Sequence, residues 1–243
     1  MDKIRKTYFV ADVHLGLEYR DPVEREARFL DFLRSLGPEN AGALYLLGDI
    51  WDFWYEYRDV VPKQGIRVVS ELIRLVDAGV RVFFFEGNHD IWTYSFFESL
   101  GMVKMRQPAF VTIGDRSFCL GHGDGLGDAR RGYRILQKVF RSKLCQALFG
   151  SLHPRIAFGL AMNWSNSSRR SHSPYHFGSR REPLQDFALE QLKLRKVDYF
   201  VFGHFHDKVD MELPGGSRLV IIKDWMDGGQ PHLEFDGENL ISF

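Results

Sequence analysis

The chain has 243 residues, 44% hydrophobic and 26% charged, which is enough for a full core in one large domain or two smaller ones and excludes disorder, collagen and coiled coil. Thirty-two Lys and Arg balance 32 Asp and Glu, so net charge gives no reason to expect nucleic acid as a partner. The longest strictly apolar run, Ala43 to Leu47, is far short of the ~20 residues that span a bilayer.

From the N-terminus, the charged stretch Met1 to Lys6 is followed so soon by Asp12 that no signal-peptide core is expected, and the protein is read as cytoplasmic. Thr7 to Ala11 is predicted as a strand, and Pro22 to Leu36 as a helix opened by Asp21-Pro22. A strand at Ala43 to Leu47, a helix at Gln64 to Asp77 and a strand at Val80 to Phe85 follow. This βαβαβ series predicts parallel strands with covering helices.

Between Gly125 and Arg181, eleven Lys and Arg face one acid, Asp128. There Leu136, Phe140, Leu144 and Leu148 recur every four residues, the stripe of one helix. Gly150 to His153 reads as a turn, Pro154 opens a second helix to about Met162, and Asn163 to Ser168 closes it as a polar loop. Residues 125–181 are thus expected to form a basic helical hairpin inserted into a core of 1–124 and 182–243. Beyond it come a helix near Pro183 to Arg195 and strands at Asp198 to Phe202, Val209 to Leu213 and Arg218 to Lys223. A last pair lies around Leu233 and Leu240, and this end reads as mostly antiparallel. The fold class is α/β, two packed sheets with helices outside. Cys119 and Cys145 lack the spacing of a disulfide framework or zinc ribbon and read as buried small hydrophobes.

Five segments share one grammar, an apolar strand running into a turn: Val10-Ala11-Asp12-Val13-His14, Leu47-Gly48-Asp49, Glu86-Gly87-Asn88-His89-Asp90, Leu120-Gly121-His122-Gly123-Asp124 and Phe202-Gly203-His204-Phe205-His206. Five of the nine histidines stand in them. A strand-end Asp alone is usually a turn former and a lone His a hydrogen-bonded filler; five such segments together outweigh that. With Asp12, Asp49 and Asn88 these histidines form a nitrogen and oxygen donor set without thiolate, suited to two divalent ions: manganese first, with iron, magnesium or zinc as alternatives.

In this order the five segments resemble the calcineurin-like metallophosphoesterase superfamily over essentially the whole chain. The resemblance implies an αββα sandwich of two mixed sheets with an inserted helical-hairpin lid. It also implies a dinuclear site, with Asp12, His14 and His206 on one ion, Asn88, His122 and His204 on the other, and Asp49 bridging. Water activated by the two ions would attack phosphorus. His89 would stabilise the transition state or protonate the leaving group, with Asp90 orienting it.

Within the superfamily, Gly48 to Trp54, Gly123 to Leu126 followed by Gly132-Tyr133, Asn166 to Arg169, and Lys223-Asp224-Trp225 are similar to the UDP-2,3-diacylglucosamine pyrophosphatase family of lipid A synthesis. That likeness implies a nucleotide-activated glycolipid substrate, cleaved to lipid X and UMP by attack at the α-phosphorus, and peripheral association with the inner membrane. Trp54, Tyr133, Phe140 and Leu144 would contact substrate, and Arg169 and Arg170 would hold phosphate. Trp54, Tyr133 and Trp164 serve equally well as core aromatics, and Arg130, Arg131, Arg134 and Lys138 as a solvated helix face. The best-known members carry Arg where this chain has His89. A general phosphodiesterase or nucleotide pyrophosphohydrolase on the same fold, or a metal-bearing scaffold without catalysis, remains the alternative.

Overall fold

The computed structural model describes residues 5–127, 131–171, 177–178 and 182–243, with backbone alone at 131–134, 164 and 166–171. Strand β1 (Lys6–Val10) shows how the layers arise. Alternate side chains point to opposite faces of a strand: Tyr8 and Val10 join one apolar cluster, Phe9 another. β2 (Ala41–Leu46) and β3 (Arg81–Phe85) sort in the same way, Leu44, Leu46, Val82 and Phe84 to the first cluster, Tyr45 and Phe85 to the second. Helices α1 (Pro22–Ser35) and α2 (Ile66–Asp77) cover the first face with Phe29, Leu33, Val68 and Leu72. A strand apolar in both directions is what a sheet buried on both sides requires.

The first sheet has the order β11-β10-β1-β2-β3-β4, where β4 is Val103–Met105, β10 Leu233–Phe235 and β11 Leu240–Ser242. The second has the order β5-β6-β7-β9-β8, with β5 Ala109–Ile113, β6 Arg116–Leu120, β7 Tyr199–Phe202, β8 Val209–Glu212 and β9 Arg218–Ile221. Phe118, Leu120, Tyr199, Val201 and Val220 meet the first sheet's inner face. On the outer face Cys119, Phe200, Phe202 and Leu219 pack under α7 (Pro183–Leu192) through Leu184 and Ala188. Two mixed sheets lie between helices, the expected sandwich. A short α3 (Phe96–Ser99) follows β3.

The C-terminal end is mostly antiparallel, as expected, in the pairs β8–β9, β10–β11 and β1–β10, but β7 runs parallel to both β6 and β9, because β8 occupies the sheet edge beside β9. Two expectations are corrected. The inserted segment is three helices, α4 (Arg131–Arg141), α5 (Lys143–Gly150) and α6 (Pro154–Ser171), instead of a hairpin. Ser142 is extended (φ −70°, ψ 121°) and caps α5 by accepting from the Cys145 amide. The four-residue stripe is therefore split: Phe140 turns onto Trp92, while Leu144 and Leu148 are 69% and 61% exposed. Last, the polar run 163–168 continues α6, a case of helix propensity being a weak prior. Of the cysteines, Cys119 is buried and Cys145 half-buried; both are free. No helix among the described residues is long and apolar enough to cross a membrane.

Candidate metal centre

The five strand-to-turn segments leave the C-terminal ends of β1, β2, β3, β6 and β7, where α/β folds build sites. Asp12, His14, Asp49, His204 and His206 all hold the left-handed backbone region, with φ between 51° and 71°. Each such residue costs about 1–3 kcal/mol and persists only where its surroundings over-determine it. Here hydrogen bonds cross between the turns: Asp12 N donates to Gly48 O (3.1 Å), His14 N to Asp49 O (3.0 Å), His204 N to Asp12 Oδ2 (2.9 Å) and His89 N to Asp49 Oδ1 (2.8 Å). Glycine permits the approach, since a Cβ at Gly87 would fall on Asp49 Oδ1 and one at Gly203 on Asp12 Oδ2.

The side chains converge as two adjoining sets. Asp12 Oδ1 lies 3.5 Å from His206 Nε2 and 3.8 Å from His14 Nε2, and the two imidazole nitrogens are 3.3 Å apart. His122 Nε2 lies 3.1 Å from Asn88 Oδ1 and 3.3 Å from Asp49 Oδ2, with the His204 ring centroid 5.1 Å from that of His122. Asp49 Oδ2 is also 4.0 Å from His14 Nε2, between the two sets. Donor atoms of Asp12, His14 and His206 lie within 4.8 Å of one another, as do those of Asp12, Asp49 and His122, and of His14, Asp49 and His89. Among the described residues, Asp12 Oδ1 is buried without a hydrogen-bond partner. An orphaned carboxylate oxygen among imidazole nitrogens fits a divalent cation.

The outer nitrogens are held by groups that aim Nε2 inward. His14 Nδ1 meets Asp52 Oδ1 at 3.0 Å, His206 Nδ1 meets Asp224 Oδ2 at 2.8 Å, and His122 Nδ1 donates to Leu47 O at 3.0 Å. Such partners fix the tautomer and strengthen the imidazole as a donor. Burial opposes the charge of Asp12 and Asp49. The imidazoles of His14 and His206 nevertheless hold Asp12 below the usual carboxylate range, and those of His122 and His89 hold Asp49 well below it. Burial and the neighbouring His122 push His204 down to about 4, which leaves its ring neutral with a free lone pair.

His89 stands at the mouth, its side chain 23% exposed, edge-on to His14 with centroids 5.0 Å apart. Its Nδ1 lies 3.0 Å from Asp52 O and 3.5 Å from Asp52 Oδ1. Asp90, expected to orient His89, follows it in the same turn. Its buried carboxylate accepts from the amides of Gly87 (2.8 Å), Asp49 (3.1 Å), Ile50 (2.8 Å) and Trp51 (3.2 Å), which fastens the β2 and β3 turns together. Burial and the Asp49 charge push this carboxyl up to about 7 against those amides.

Trp54, expected at the substrate, is 0% exposed between Trp51, Phe96 and Phe97 and belongs to the core. Phe140 is half-buried on Trp92 and Leu144 faces outward. The side chains of Tyr133, Trp164, Arg169 and Arg170 lie outside the described residues. Sequence reasoning gave no role to Asp52, Asp224 or Arg25. The first two stood within motifs already singled out. Arg25, fully buried in α1, donates to the carbonyls of His14, Leu17 and Tyr19, and nothing in a helical pattern marks it.

The calcineurin-like phosphoesterase family model matches residues 5–208, a span holding all seven converging donors. The chain belongs to the calcineurin-like phosphoesterases. Among curated relatives, this phosphoesterase is 34% identical to UDP-2,3-diacylglucosamine hydrolase of Porphyromonas gingivalis, over 97% of this chain and 96% of that one. It is 30% identical to the protein of that name from Serratia proteamaculans, over 98% of each chain. For the Neisseria meningitidis serogroup A protein of that name the identity is 27%, over 98% and 97%. Among solved structures, an archaeal phosphodiesterase (TM-score 0.50, 13% identity, 98% and 99% covered) and a dimetal phosphatase from Danio rerio (TM-score 0.50, 15% identity, 99% of each) share the fold.

Proposed function

We propose that this phosphoesterase hydrolyses the pyrophosphate of UDP-2,3-diacylglucosamine to 2,3-diacylglucosamine 1-phosphate and UMP. The observation that carries the reading is similarity over nearly the full length, insertion included, to relatives named for hydrolysis of that compound. Asp12, His14 and His206 would hold one divalent ion, Asn88, His122 and His204 the other, and Asp49 both, with manganese the first choice. When bound, such a pair neutralises phosphate charge and lowers the pKa of the attacking water. Asp52 and Asp224 keep the imidazoles turned inward. With Nδ1–H given to the Asp52 carbonyl, a protonated His89 presents Nε2–H to the departing phosphate.

The insertion supports a lipid substrate. Ile135, Val139, Leu144, Leu148, Ile156 and Leu160 are exposed among Lys138, Arg141, Lys143 and Arg155. Apolar side chains rimmed by cations suit an anionic bilayer surface, which favours peripheral association with the inner membrane. The test is hydrolysis by the manganese-loaded protein of UDP-2,3-diacylglucosamine, UDP-GlcNAc and a chromogenic phosphodiester in ¹⁸O-water. Turnover of the diacylated compound alone, with label in UMP, is expected. Comparable rates on all three would instead mark a general phosphodiesterase.

A further inference from the structure

The loop bearing His122 has glycine at every second position, Gly121, Gly123, Gly125 and Gly127. Each faces a close neighbour. A Cβ at Gly127 would fall on the Pro183 carbonyl and one at Gly121 on the Gln107 side chain, while at Gly123 it would press on Leu184 and Phe202 and at Gly125 on the Gln137 carboxamide. The loop is thus wedged between the second sheet, α7 and α4 of the insertion. Within it two side-chain amides donate to the buried Asp124 carboxylate. Gln107 Nε2 donates to Oδ1 while its own carbonyl accepts from Gly123 N at 2.8 Å; Gln137 Nε2, reaching down from α4, donates to Oδ2 at 2.8 Å. Two other hydrogen bonds from the core to the insertion end on main-chain carbonyls: Trp92 Nε1 to Phe140 O (2.9 Å) and Tyr55 Oη to Gln146 O (2.7 Å). Those seat the junction of α4 and α5 whatever side chains it carries. Gln137 instead ties a side chain of α4 to a loop residue two positions from His122.

We propose that Gln137 is a positioning residue that registers the helical insertion on the metal-bearing loop, so that a substrate spanning both is held with its phosphates over the centre. The inference rests on the proposed function, in which acyl chains engage the insertion while the pyrophosphate lies at the centre. A substrate confined to the centre has no use for the tie.

Gln137→Glu sets a carboxylate against Asp124. Adding Asp124→Asn restores a matched pair, the new amide accepting from Gln107 and donating to the glutamate. With manganese-loaded full-length chain, Gln137→Glu is expected to raise KM for UDP-2,3-diacylglucosamine roughly tenfold or more, the scale of one charge-assisted hydrogen bond. The kcat/KM for a chromogenic phosphodiester should stay within about twofold, since that step needs the centre alone. Calorimetric titration should still count two manganese ions, and the amides of α4 should lose hydrogen-exchange protection. The double variant should recover both KM and protection. Unchanged KM and exchange in Gln137→Glu, failure of the double variant to recover, or an equal fall in diester hydrolysis would overturn the proposal. If Gln137→Glu does not fold, Gln137→Ala replaces it, with the same KM and exchange outcomes deciding. Should the wild-type chain leave UDP-2,3-diacylglucosamine intact, the proposed function fails by itself, and protection of α4 in wild type and variants still decides whether the tie exists.

Discussion

Asp49 and Asp90 show how two buried carboxylates in neighbouring turns serve different ends. Asp49 Oδ2 lies between the two donor sets, so Asp49→Ala should remove both ions and all measurable turnover; elemental analysis still finding two ions per chain would refute its bridging place. Asp90 meets four backbone amides, and Asp90→Asn turns one acceptor into a donor facing them. The expected cost is about 2–3 kcal/mol, a fall in Tm of roughly 4–12 °C that calorimetry of the metal-free protein would read. His89 instead sets its Nδ1 against the Asp52 carbonyl and stands at the mouth. His89→Ala should leave two ions bound and lower turnover about 10²–10⁴-fold. A rate unchanged across pH would make it a structural histidine.

Among the elements, the insertion offers the sharpest contrast. Phe140 packs on Trp92 whereas Leu144 points into solvent. Phe140→Ser should therefore lower Tm by several degrees, while Leu144→Ser leaves Tm unchanged and weakens binding to vesicles of anionic phospholipid. Equal effects of the two on Tm would contradict the packing described. The same helices mark where sequence stopped being informative. Strand-to-turn segments were legible because strong β-formers run into Asp, Gly and His, and α1 because Asp21-Pro22 announces its start. Periodicity could not reveal the break at Ser142, since the stripe continues in step across it and only the extended backbone of Ser142 turns Leu144 away from the path of Phe140. Nor could it decide between parallel and antiparallel placement of β7 and β9, which depends on where β8 lies in space. The seven donors were foreseeable as a family pattern, but their support was less so: Asp52 sits in a motif without a label, and Arg25 reads as an ordinary helix-face cation.

Across the whole molecule, the centre brings together loops from both sheets, so its ligands act as a clasp between the halves. Asp12 and Asp49 place two charges at 0% and 1% exposure among imidazoles and backbone amides. Divalent ions that bind the folded chain alone should raise its stability, by about 2.7 kcal/mol at a free concentration one hundred times Kd. Chelation by EDTA should accordingly lower Tm, and added manganese should restore it. A Tm indifferent to chelation would mean that the halves hold together without the clasp.

The interleaving of the two sheets also fixes an order of events during synthesis. Once β1 to β3 have left the ribosome they can pair and dress one face with α1 and α2. Their other face, bearing Phe9, Tyr45 and Phe85, is met first by Phe118 and Leu120 of β6 and completed only by β7 and β9, encoded more than a hundred residues after β3. At roughly 5–20 residues per second that interval lasts on the order of ten seconds. Through it the nascent chain carries a partly covered aromatic surface, a natural landing place for ribosome-associated chaperones.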